Sequence, residues 1–184
     1  MNRRHRRSNV RERISPVLRT RPGIRQRGLV FLASQSFPCA LGPAGTVTRK
    51  REGDGATPVG RWTLQSVLYR ADRISRPVTS LPVRALRPDD GWCDAPGNRN
   101  YNRLVTMPYD ASAENMWRED HIYDLVVILD HNTRPRIRGM GSAIFIHLAR
   151  DGFTPTQGCI ALSLHQLKLW LSSCRPGSVL SILP

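Results

Sequence analysis

The chain has 184 residues, 40% of them hydrophobic, with 28 Lys and Arg against 14 Asp and Glu for a formal net charge of +14. That length suits one domain able to bury a real core, and no stretch approaches the ~20 apolar residues of a membrane-spanning helix. The four cysteines, Cys39, Cys93, Cys159 and Cys174, form no Cys-x-x-Cys and no cluster with histidine at zinc-finger spacing, which argues against a structural metal site.

The charge is unevenly spread. Residues 1–27 hold ten arginines against Glu12 alone, or +9, whereas the remaining residues carry 18 basic and 13 acidic side chains, or +5. The first segment is expected to be a solvated, disordered basic tail, with attraction to nucleic acid or an anionic membrane surface as the alternative. It lacks the apolar core of a secretory signal. The first apolar run, Leu29-Val30-Phe31-Leu32-Ala33, is short and reads as a strand.

From residue 28 onward, short strand-like pieces alternate with Gly/Pro punctuation, which predicts a mainly β domain over 28–184 with a few helices. Strands are expected at 28–34, 37–41, 61–69 and 124–130, then at 142–148, 158–162 and 178–183. The run at 124–129 is apolar without alternation, so both of its faces should be buried. Polar, glycine-rich stretches at 48–60 and 89–103 are too long for simple turns, and the Trp and Tyr of the second favour order. A short helix is expected over 112–118. A longer one should begin at Ser163, where Ser and Gln166 make a capping box, and run through Leu164, Leu167, Leu171 and Cys174 until Pro176-Gly177.

His147 closes one apolar strand, and Cys159, preceded by Gly158, opens another twelve positions later. A thiol becomes a strong nucleophile when a neighbouring base or positive charge favours its thiolate, and adjacent strand ends would supply such a pair. A buried cysteine is also a common small hydrophobe, so the spacing alone leaves both readings open.

Three segments together resemble the L,D-transpeptidase family (the YkuD-type catalytic domain). They are Gly55-Ala56-Thr57-Pro58-Val59-Gly60-Arg61-Trp62, Gly141-Ser142-Ala143-Ile144-Phe145-Ile146-His147 and Thr156-Gln157-Gly158-Cys159-Ile160-Ala161-Leu162. The segments Lys50–Gly55 and Gly91–Asp94, with Tyr101-Asn102-Arg103, look like a short, single-domain branch. The chain departs from the family's usual Ser/Thr-His-Gly-Cys at Gln157, and Leu148 follows the histidine where Gly or Ser is common.

The resemblance implies a β-sandwich or barrel-like catalytic domain and a cysteine L,D-transpeptidase that acts on peptidoglycan stem peptides through a thioester on Cys159. His147 would be the general acid/base. Gly158 and Thr156 would support the oxyanion site and its loop, and the Leu148 backbone would orient the imidazole. Trp92, Asp94, Tyr101, Asn102, Arg103 and Gln157 are candidate substrate contacts. No metal or organic cofactor is implied, and carbapenem-type β-lactams would be covalent inhibitors. Hydrolysis of the same acyl-enzyme, an L,D-carboxypeptidase, is the alternative, and a non-catalytic basic module binding nucleic acid or a surface is a third. No specific nucleic acid partner is implied. The substrate places the protein in the periplasm or cell envelope, while the missing signal peptide leaves a cytoplasmic location open.

Overall fold

The computed structural model describes residues 15–184. Its strands are β1 (Val17–Arg21), β2 (Ile24–Leu32), β3 (Gln35–Ala40), β4 (Thr46–Val47), β5 (Thr57–Pro58), β6 (Gly60–Tyr69) and β7 (Val83–Ala85). They continue with β8 (Asp90–Cys93), β9 (Arg103–Thr106), β10 (Ala113–Asn115), β11 (Leu125–Leu129), β12 (Phe145–Leu148), β13 (Ile160–Leu162) and β14 (Val179–Ile182). One α-helix, α1 (Leu164–Ser173), and a 3-10 turn at Asp151–Phe153 complete the described elements. The protein is mostly β, as its punctuation predicts.

Strand β11 explains the layering. All five of its residues are buried, and side chains on a strand alternate between faces. Leu125, Val127 and Leu129 join one core, while Val126 and Ile128 join a second. Strand β12 does the same, with Ile146 and Leu148 in the first core and Phe145 in the second.

The first core is enclosed by a sheet that closes on itself. Strands β11, β12, β13, β3, β2, β1, β14 and β6 are neighbours in that order, β6 returns to pair with β11, and β7 is added on β6. Closure leaves few free strand edges. Helix α1 adds Leu167, Trp170 and Leu171 to this core, and burying a large apolar side chain stabilises by about 1.5–3 kcal/mol. Ser163 caps the helix by accepting from Gln166 N–H, and the apolar spacing holds; the reciprocal half of the expected capping box is missing, because Gln166 Oε1 is buried without a partner among the described residues. The second core lies under a smaller sheet, β10–β8–β9, which brings in Trp92 beside Met116, Ile122 and Tyr123.

Two expectations are corrected. The boundary at 27/28 moves, because β1 and the first half of β2 lie inside the basic stretch. β1 pairs with β14 and β2, and Leu18 is fully buried while Arg19 and Arg21 point outward. Alternation therefore outweighs the arginine content. The tail expected for residues 1–14 lies outside the described residues. The helix expected over 112–118 is absent; Ala113–Asn115 pairs with Gly91–Cys93 instead, because a third strand there extends the cover over the second core. All four cysteines are free and buried. Among the described residues, no helix is long and apolar enough to cross a membrane, and no group of three or more His, Cys, Asp or Glu side chains could hold a metal ion.

Candidate active site

Strands β12 and β13 run parallel, with His147 opposite Ala161. Cys159 stands two residues before Ala161, so its side chain leaves the same sheet face as that of His147, about 7 Å back along the strands. That face looks toward the second core, where Cys159 packs with Phe145 and Tyr123. The His147 ring stands edge-on to Tyr123 with centroids 5.3 Å apart. Both residues are nearly enclosed, His147 at 4% exposure and Cys159 at 7%, yet both line one cleft of about 370 Å³.

The imidazole is oriented by its own strand. Nδ1 lies 2.9 Å from Leu148 O; the carbonyl accepts a hydrogen bond, so Nδ1 carries the proton and Nε2 keeps its lone pair. Burial lowers the His147 pKa to about 4. Burial likewise raises the Cys159 thiol to about 12, with the Glu114 carboxylate adding to the rise. Near neutral pH the resting pair is therefore a neutral thiol and a neutral imidazole. The thiol donates to Ala143 O at 3.0 Å and accepts from Phe145 N–H at 3.3 Å, so backbone holds the sulfur in place.

The turn before Cys159 is clamped from both sides. Thr156 Oγ1 accepts from Gly158 N–H at 3.1 Å and donates to Cys159 O at 2.7 Å. Gly158 has φ 120°, and a Cβ there would stand 2.6 Å from Ala56 O, so this position needs glycine for both conformation and space. The contact explains the long loop at 48–60. Asp54 accepts from Lys50 Nζ and from Arg51 and Ala56 N–H, which packs the Gly55-Ala56 backbone behind the Gly158-Cys159 turn.

The six expected substrate contacts divide by position. Asp94 and Gln157 line the cleft. Trp92 and Asn102 do not line it. Asn102, 3% exposed, accepts from Trp92 Nε1 at 3.0 Å and Ala143 N–H at 3.1 Å through Oδ1. Its Nδ2 donates to His131 O at 3.0 Å and Asn132 O at 2.9 Å. Asn102 thus fixes Ala143, whose carbonyl holds the thiol. Tyr101 and Arg103 line a neighbouring cleft, and the Tyr101 hydroxyl donates to Glu52. Trp92→Phe removes one buried hydrogen bond but keeps the ring against Phe145, at 4.9 Å between centroids. It should cost about 1 kcal/mol in chemical denaturation and leave the KM of any stem-peptide reaction unchanged. A several-fold rise in KM would make Trp92 a substrate contact.

Other cleft residues escaped the sequence reading. Glu52, Glu114, Arg118, Tyr123 and Arg150 line its walls. Arg118 pairs with Asp120 through two hydrogen bonds of 2.8 Å each, and Arg150 reaches the same carboxylate at 2.8 Å. Both guanidiniums hold Asp120 well below the usual carboxylate range, Arg118 most strongly. Tyr123 donates to Glu114 at 2.7 Å. The only sequence signal was the general value of arginine for binding carboxylates; which arginines reach the cleft depends on how β10 and the loop after it fold over the barrel. A larger cavity of about 550 Å³, between the end of α1 and the β2–β3 turn, contains neither His147 nor Cys159.

A family model described as the L,D-transpeptidase catalytic domain matches residues 26–182. No curated protein matches. Among solved structures, L,D-transpeptidase 1 from Mycobacterium tuberculosis aligns at 12% identity with a TM-score of 0.41, covering 93% of this chain and 62% of that one. L,D-transpeptidase 3 from the same organism aligns at 14% identity, again with a TM-score of 0.41 and coverage of 93% and 62%. The chain therefore spans less than two thirds of the length of either.

Proposed function

The chain belongs to the L,D-transpeptidase catalytic-domain family, and from that premise we propose that it performs cysteine-dependent acyl transfer on peptidoglycan stem peptides. One observation carries the reading: Cys159 and His147 share a sheet face and a cleft, with the His147 Nδ1 proton directed to Leu148 O. Nε2 is then the base.

As the thiol sulfur attacks the scissile carbonyl carbon, its proton passes to Nε2. The C–N bond breaks, His147 protonates the departing D-amino acid, and a Cys159 thioester remains. An incoming amine attacks that thioester, its proton returns through His147, and the thiol is restored. The backbone around Gly158 and Cys159 stabilises the transient oxyanion. Because burial favours the neutral pair, the thiolate forms only while substrate is being attacked, and the two groups titrate as one unit.

The cleft walls suit a zwitterionic stem. Arg118 and Arg150 match carboxylates, while Glu52, Asp94 and Glu114 match the ammonium groups of a dibasic residue. Asp94 Oδ1 is buried without a partner among the described residues. Carbapenems would acylate Cys159 as substrate mimics, and the substrate places the enzyme in the cell envelope. Incubation with defined tetrapeptide muropeptides tests the reading. Cross-linked dimers establish a transpeptidase, tripeptide alone an L,D-carboxypeptidase, and unchanged muropeptides defeat both.

A further inference from the structure

Beside the catalytic cleft lies a second one of about 470 Å³, lined by Arg99, Arg103, Arg134, Arg136 and Arg138. Its lining includes no Asp or Glu, and among the described residues none of these five guanidiniums forms a salt bridge. The described residues 15–184 carry 22 basic and 13 acidic side chains, an excess of +9, and five unpaired guanidiniums of that excess gather at this one concave place.

The arginines are presented by two braced loops. Asn132 ties the second loop together, donating to Ile137 O at 2.9 Å and Gly141 O at 2.8 Å and accepting from Ile137 N–H at 2.8 Å. Glu52 N–H reaches Gly139 O at 2.8 Å. Asn102 joins the loops by donating to His131 O and Asn132 O, and its own carbonyl accepts from Arg136 Nε at 3.3 Å. Partial burial and then repulsion from Arg103 and Arg134 lower the Arg136 pKa. The framework thus holds like charges together at a cost, which an anion would relieve.

We propose that this cleft is a binding site for a phosphate-class oligoanion, carrying at least two phosphate charges. A single carboxylate offers two oxygens in one plane and one charge. Linked phosphates offer tetrahedral oxygens to several guanidinium forks at once and match the accumulated charge. An open cleft of this volume suits a small charged group, carried by a soluble or polymeric phosphate or by a lipid headgroup.

Calorimetry of the full chain with inorganic tripolyphosphate at fixed ionic strength tests the site. Arg99→Ser/Arg134→Ser removes two cleft charges that make no hydrogen bond within the described residues, and Arg19→Ser/Arg76→Ser removes two exposed charges elsewhere. The cleft pair should weaken binding about tenfold or more, and the control pair by no more than about twofold. Equal weakening by both pairs, or none by the cleft pair, overturns the site, because diffuse charge then explains any binding. Vesicles of phosphatidylcholine with and without phosphatidylglycerol separate the sources. Sedimentation that needs phosphatidylglycerol, is lost in the cleft variant and is reversed by tripolyphosphate assigns a lipid headgroup. Tripolyphosphate binding at the cleft without such sedimentation assigns a soluble or polymeric phosphate.

Discussion

Cys159→Ala is expected to lower muropeptide turnover at least about a thousandfold while leaving the fold in place, since the covalent route is lost with the nucleophile. The substitution removes one sulfur whose hydrogen bonds to Ala143 O and Phe145 N–H are of the weak thiol kind, so the barrel should tolerate it. Cys159→Ser should behave alike at neutral pH. Intact-mass analysis after carbapenem exposure provides the direct readout: wild type gains one adduct and neither variant does. The other thiols make a fair background, because Cys39, Cys93 and Cys174 are all buried and none of them lines the cleft. An adduct that persists in Cys159→Ala, or turnover that stays near wild type, would remove Cys159 from the reaction.

The placement of His147 and Cys159 was legible in sequence because both residues sit at strand ends, where period-two burial and a preceding glycine are local signals. The Ser163 cap and the unbroken apolar run of β11 were legible for the same reason. What stayed hidden depends on pairing between distant segments. Glu114 reaches the cleft only because Ala113–Asn115 pairs with Gly91–Cys93, and that segment reads locally as a helix. Strand β1 was masked by arginines, although Leu18 is buried while Arg19 and Arg21, two positions apart, are exposed, which is a strand period. Asn102 looked like a loop residue available to substrate. Its role emerges only when Trp92, Ala143, His131 and Asn132 converge on it. The second cleft gathers Arg99 and Arg103 from one loop and Arg134, Arg136 and Arg138 from another, a juxtaposition no local pattern contains.

His147→Ala is expected to slow acylation of Cys159 about 10²- to 10⁴-fold, the usual worth of a positioned general acid–base. The resting structure makes the dependence strong. With the thiol raised to about 12 and the imidazole lowered to about 4, little thiolate exists before attack, so a base must act during it. His147→Gln, which keeps a polar side chain of similar length against Tyr123, should show the same loss and serves where the alanine variant folds poorly. The pH profile follows from the same burial. The active imidazole is neutral, so the acid limb of kcat/KM in wild type should lie near pH 4 rather than near the ordinary histidine value of 6.5. Between those values the unfolded chain binds a proton at this ring that the folded chain lacks, so stability falls as pH drops through that window and gains nothing further above it. At the alkaline end the unfolded thiol ionises above its ordinary 9.0 while the folded one waits until about 12, so Cys159 withdraws stability as pH rises past 9. Iodoacetamide labelling of wild type should climb through that range without a plateau near neutrality. A neutral-pH plateau, or equal labelling of wild type and His147→Gln, would mean that a preformed thiolate, independent of His147, drives the chemistry.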